Sequence, residues 1–187
     1  MTDIFFKCGL TARFGKLGRC TDAFRRDHEI RARNRGYAGQ CPDLSHLTSC
    51  FDKVRDSENV FDVLRVDGLF DYVRARAMCR THEDVPLVQA AAVQPEFEFR
   101  HISGALVGFW TPEYARTLNV PGYHLHFLSD DRTCGGHLLQ CAGANLRLQL
   151  QREGTYHVAL PETEDFLKAD LHRDPAADLA KAEGEKK

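Results

Sequence analysis

The sequence predicts a mixed α/β (α+β) chain, rich in β-sheet and built around a metal-binding β-hairpin. Three observations carry this. Residues 122–137, GYHLHFLSDDRTCGGH, hold three of the nine histidines. Residues 95–101 alternate Phe97 and Phe99 against Glu96, Glu98 and Arg100, the period of a half-buried strand. A chain of 187 residues with 43% hydrophobic content is large enough to bury one core.

In chain order, the expectations are these. Residues 1–57 form an atypical N-terminal region with little hydrophobic periodicity, expected to be poorly ordered, and residues 58–187 form the metal-binding domain. The basic run holding Arg25, Arg26, Arg31, Arg33 and Arg35 is broken by Asp27 and Glu29, which suits a solvated helix or a disordered arm. Residues 60–66 and 68–75 read as a helix end leading into strands, 95–101 as one strand and 102–110 as the next, an apolar run with glycines. Residues 123–128 and 137–141 make the metal hairpin, and 146–150 pair with 155–160 around Arg152-Glu153-Gly154. Residues 165–171 and 176–183 read as short helices, and there are no internal repeats.

The hairpin carries the chemistry. His124 and His126 are two residues apart, so on a strand both imidazoles leave one face while Leu125 and Phe127 leave the other. A polar turn ending in Gly135-Gly136 reverses the chain, and His137 begins the returning strand beside the first pair. Three neutral imidazoles converging on one point suit zinc (Zn2+) and leave a coordination position for substrate. Spacing alone leaves iron, copper, nickel and manganese-like sites open. A lone strand histidine is usually a satisfied core or surface residue, whereas an HxH pair facing a third histidine across a Gly-Gly turn is seldom accidental.

Other classes are weighed on composition. A formal net charge of -2 gives no drive toward nucleic acid or an anionic membrane. No apolar run is long enough to span a bilayer and the N-terminus lacks a secretory pattern, so a cytoplasmic setting is expected. The seven cysteines are odd in number and scattered without a CxxC, which indicates neither a disulfide scaffold nor a cysteine zinc site. Cys134, in the turn between the histidines, is read as a small turn residue.

The segments around the histidines resemble the alpha-acetolactate decarboxylase family. The resemblance rests on Pro112-Glu113-Tyr114, the run from Leu118 to Phe127, Asp131-Arg132-Thr133 and Gly135-Gly136-His137. Upstream, the run from Arg65 to Phe70, Arg74-Ala75-Arg76, the run from Gln94 to Phe99 and the run from Gly104 to Pro112 follow the family's order. Downstream, Leu160-Pro161 and the run from Phe166 to Leu171 do the same. It covers the chain from about Val60 to its end.

The resemblance implies an acetolactate decarboxylase-like fold and a zinc enzyme that converts acetolactate, a small 2-hydroxy-3-oxo acid, to acetoin and carbon dioxide. It implies His124, His126 and His137 as metal ligands, Arg76 as the arginine that meets the substrate, and Glu183 as a carboxylate reaching back to the site. It also implies a homodimer. The family's earlier Leu-Asp-Gly-Glu-type segment, whose glutamate also serves the site, has no counterpart: Asp67-Gly68 is followed by Leu69, and Glu29 is the nearest acid by type. Two alternatives stand beside this reading. One is a cupin-like metalloprotein such as a dioxygenase, although that pattern places a glutamate soon after HxH, where this chain has Asp130 and Asp131 in the turn. The other is a catalytically degenerate relative that keeps the metal.

Overall fold

The computed structural model describes residues 34–77, 94–116, 119–156, 160, 162–170 and 172. Among these residues, five antiparallel strands and two short helices follow one another as β1 (Asn34–Cys41), α1 (Leu44–Asp52), β2 (Phe61–Arg76), β3 (Glu96–Thr111), β4 (Gly122–Ser129), β5 (Gly135–Glu153) and α2 (Glu164–Lys168). A single 3₁₀ turn, Glu113–Ala115, lies between β3 and β4. The sheet order is β1-β5-β2-β3-β4, and β4 also pairs with β5, so the last four strands close on themselves with β1 outside.

Closure depends on the length of β5. Its first residues pair with β4, with His126 opposite His137, and the rest run along β2 from Arg76↔His137 to Phe61↔Glu153. Leu64, Val66, Leu106, Leu125, Phe127, Leu138 and Leu146 point to the inside, nearly or fully buried. In β2 the buried set moves from Leu64 and Val66 to Phe70, Val73 and Ala75, because irregularities between Asp67 and Tyr72 change the register against β5. A one-residue slip sends every later side chain to the opposite face. It gives Arg76 the face of His137.

The α1 helix is set by its ends and its apolar spacing. The Asp43 carboxylate accepts from His46 N at 2.7 Å, the usual role of an N-cap. Leu47 and Phe51, at i and i+4, go into the core. The first turn is tied to the sheet by Leu44 N donating to Gln140 Oε1 at 2.6 Å.

Several expectations change. Residues 61–76 are one strand without a helical start, and 96–111 are one strand rather than two. His101 takes a positive φ of 50°, so the break read at residues 101–102 is a local kink in a continuous ladder. The stretch 146–150 continues β5 out of the hairpin, and Thr155 and Tyr156 belong to no strand, so its partners are β1 and β2. Where a helix is expected at 165–171, residues 164–168 are helical; the helix expected at 176–183 lies outside the described residues. The basic run ends inside β1, at Arg35. Among the described residues, Ala38, Cys41, Leu47 and Phe51 join the same buried cluster as β2 to β5. A short glycine-containing strand has weak local periodicity, and only its pairing with β5 defines it. No helix among the described residues is long and apolar enough to cross a membrane.

Candidate metal centre

His124 and His126 leave the face of β4 opposite Leu125 and Phe127, as period two requires. A polar turn fixes the return. Asp131 accepts from Ser129 Oγ at 2.6 Å, Thr133 N at 3.0 Å and Thr133 Oγ1 at 2.9 Å, and Ser129 N donates to Cys134 O at 2.9 Å. These bonds hold the Asp131 carboxyl below its ordinary pKa and commit it to the turn. Cys134 sits here with its backbone N donating to Ser129 Oγ at 2.9 Å.

His137 then comes opposite His126. The three imidazoles present ligand atoms that all lie within 4.8 Å of one another. The His124 and His126 rings stack at 5.0 Å, with their Nε2 atoms 2.9 Å apart, and His137 stands edge-on to both at 4.9 and 5.3 Å. Zinc–nitrogen bonds of about 2.0–2.1 Å at tetrahedral angles would separate ligand nitrogens by about 3.3 Å, so this donor set fits one metal ion after small ring movements. Among the described residues, no carboxylate joins the group. Asp130 and Asp131 stay in the turn, unlike the carboxylate a cupin-like centre would contribute.

Two glycines make the close approach possible. A Cβ at Gly108 would lie 1.9 Å from the carbonyl oxygen of His124, and one at Gly136 would lie 2.5 Å from that of Arg76. Both contacts are with backbone, which cannot turn aside. Glycine therefore lets β3 press against β4, and β5 against β2, at the histidines.

Arg76 is paired across the ladder with His137 on one side and Glu96 on the other, and only 3% of it is exposed. Burial, the neighbouring His124 and the positive charge of Arg76 together lower the His126 pKa to about 3. His126 is therefore neutral at physiological pH, as a metal ligand must be. Glu183 and Glu29 lie outside the described residues.

Beyond the His126↔His137 pair, β4 and β5 separate. A cavity of about 170 Å³ opens between them, lined by Leu44, Val120, Tyr123, Leu139 and the rims of His124 and His137. Reading the sequence did not connect Leu44 with this place, because the two are distant along the chain. The usable signal was Asp43 as a cap before the spaced apolar residues Leu44, Leu47 and Phe51.

Comparison with known proteins points to one family. A family model described as alpha-acetolactate decarboxylase matches residues 23–173. The chain is 38% identical over 146 residues to an alpha-acetolactate decarboxylase of Brevibacillus brevis, covering 78% of this chain and 51% of that protein. It is 41% identical over 142 residues to one of Methanosarcina mazei, covering 75% and 49%. The crystal structure of alpha-acetolactate decarboxylase from Bacillus subtilis strain 168 superposes with a TM-score of 0.78 at 31% identity, covering 82% of this chain and 67% of that one. The match begins well before Val60, where the resemblance first read from the sequence starts, and so takes in β1 and α1. The chain spans about half the length of the curated relatives it matches.

Proposed function

The chain belongs to the alpha-acetolactate decarboxylase family, and from this premise we infer that it decarboxylates acetolactate to acetoin and carbon dioxide at a zinc ion held by His124, His126 and His137. The observation that carries the reading is the convergence of three histidine ligand atoms within 4.8 Å, with Arg76 across the ladder from His137.

The residues divide the work. When bound, the metal supplies positive charge to the adjacent hydroxyl and ketone oxygens of the substrate, where negative charge grows as carbon dioxide leaves. Neutral imidazoles hold that ion without adding charge of their own. Arg76 presents a planar guanidinium that meets a carboxylate with two parallel hydrogen bonds and holds the departing group in one orientation. The C–C bond to the carboxyl breaks, and its electron pair stays on the substrate as an enediolate. A proton must then reach carbon. Glu183 is the proposed carrier, on the family resemblance alone. A cytoplasmic homodimer acting on this small acid, and on neither nucleic acid nor membrane, completes the proposal.

A second reading has one observation in its favour. Among the described residues no carboxylate joins the three histidines, and a positioned acid is worth about a hundred- to ten-thousand-fold in rate. A metal-binding relative without turnover is that alternative. Acetoin formation from acetolactate by zinc-loaded protein, with His124→Ala as control, separates the two. Activity that the control lacks supports the decarboxylase. Bound zinc with no acetoin supports the second reading and overturns the first.

A further inference from the structure

His124 is the histidine with the least support from the ladder. His126 and His137 face each other across β4 and β5, but the β4–β5 pairing ends there. At His124 the ladder among the described residues pairs the strand with β3, opposite Phe109, and its other edge borders the cavity. Something else must hold this end of β4 if His124 is to meet the other two.

The neighbouring residue provides the hold. Tyr123 points to the opposite face, and its hydroxyl donates to Asp52 Oδ1 at 2.7 Å, at the last residue of α1. The same Asp52 oxygen accepts from Arg55 Nη2 at 2.6 Å. The Arg55 guanidinium lies 3.6 Å from the centroid of the Trp110 ring, and its side chain is only 5% exposed. Trp110 is the cross-strand partner of Tyr123, with ring centroids 4.8 Å apart. Arg55 Nε and Nη1 are buried without a hydrogen-bond partner. A buried ion pair of this kind is weak evidence for stability, and its geometry joins Asp52, Trp110 and Tyr123 in one cluster.

We propose that Tyr123 and Asp52 are positioning residues for the metal centre: they anchor the free end of β4 to α1 and so set the place of His124 relative to His126 and His137. The proposal rests on the reading that these histidines hold the metal. Outer residues that orient ligands typically change metal affinity by about ten- to a hundredfold. Here the orientation is transmitted through the backbone between residues 123 and 124.

The test is Co2+ titration of the full chain, followed by visible absorption, for the parent protein, Tyr123→Phe, Asp52→Ala and the double variant, with thermal unfolding of each. Tyr123→Phe keeps the ring in its packing while removing the hydroxyl from Asp52 and from its 3.3 Å contact with Thr48 O, and Asp52→Ala removes the acceptor at a half-exposed position, so the Tyr123–Asp52 bond is lost by two independent routes. The expected result is about tenfold weaker Co2+ binding in each single variant, a changed ligand-field spectrum, and no further loss in the double. Unchanged affinity and spectrum in folded single variants would overturn the positioning role, whatever their melting temperatures. No Co2+ binding by the parent protein would overturn the metal reading itself and this proposal with it.

Discussion

Replacing Asp62 by Asn should make the protein more stable at neutral pH, by an amount that depends on pH in a defined way. Asp62 lies on β2 in register with Trp110 of β3 and Arg152 of β5, and 3% of it is exposed. Burial raises its pKa from 3.8 to about 6, with Arg55 and Arg152 pulling it down and Asp56 pushing it up. A folded-state pKa above the unfolded one means that the folded protein binds the proton more tightly. This stabilisation is complete below about pH 4 and is lost as pH rises through 6. A difference of about 2 units corresponds to about 3 kcal/mol. Asparagine imitates the protonated carboxyl, so Asp62→Asn should exceed the parent by up to about 3 kcal/mol at pH 7.5, and the gap should close toward pH 4. Urea unfolding from pH 4 to 8, with equal m-values in both proteins, measures it. A variant less stable than the parent at pH 7.5, or a gap that does not change with pH, would refute the reasoning. It would mean that Arg55 and Arg152 hold the ionised carboxylate more strongly than burial opposes it.

If Arg76 holds the substrate carboxylate as proposed, Arg76→Ala should lower kcat/KM by roughly a hundredfold while zinc content stays at the parent level, because two charge-assisted hydrogen bonds would be lost. Arg76→Lys should recover little, since an ammonium cannot reproduce the fork; steady-state kinetics with metal analysis checks both. Gly108→Ala places a methyl against the His124 carbonyl and should cost about 3 kcal/mol in urea unfolding, the upper range for overpacking. Phe127→Ala removes a fully buried ring that meets Phe70 edge-on at 5.7 Å and should cost about 3–5 kcal/mol in the same measurement.

What the sequence made legible was the part encoded locally. Period two put His124 and His126 on one face, and the Gly135-Gly136 turn announced the return of His137; both are local patterns, and the hairpin has that geometry. The β-rich α+β class was legible for the same reason. The lengths of the strands were not. His101 and the irregularities between Asp67 and Tyr72 interrupt the hydrophobic period without interrupting the ladder, so two continuous strands read as pieces. β1 escaped notice because its few buried residues, Ala38 and Cys41, are defined by β5, more than a hundred residues away. Arg76 was singled out from its family context, and its nearness to His137 follows from a register change that local periodicity does not reveal. Tyr123, Asp52 and Arg55 lie between two elements, and only the packing of α1 on β4 brings them together.

The location of Arg55 next to both Asp52 and Asp62 connects the stability prediction to the anchoring of β4. Asp62→Asn removes one of the negative charges facing Arg55 while leaving the Arg55–Asp52 bond in place. Its metal affinity should therefore match that of the parent, in contrast to Asp52→Ala.

The central claim is that His124, His126 and His137 form one metal site. Metal analysis of zinc-saturated protein after removal of excess ion, on the parent and on His126→Ala, addresses it most directly. The account predicts one zinc per parent chain and a loss of zinc from the variant, with the fold intact by circular dichroism. An equal zinc content in the two proteins would contradict it.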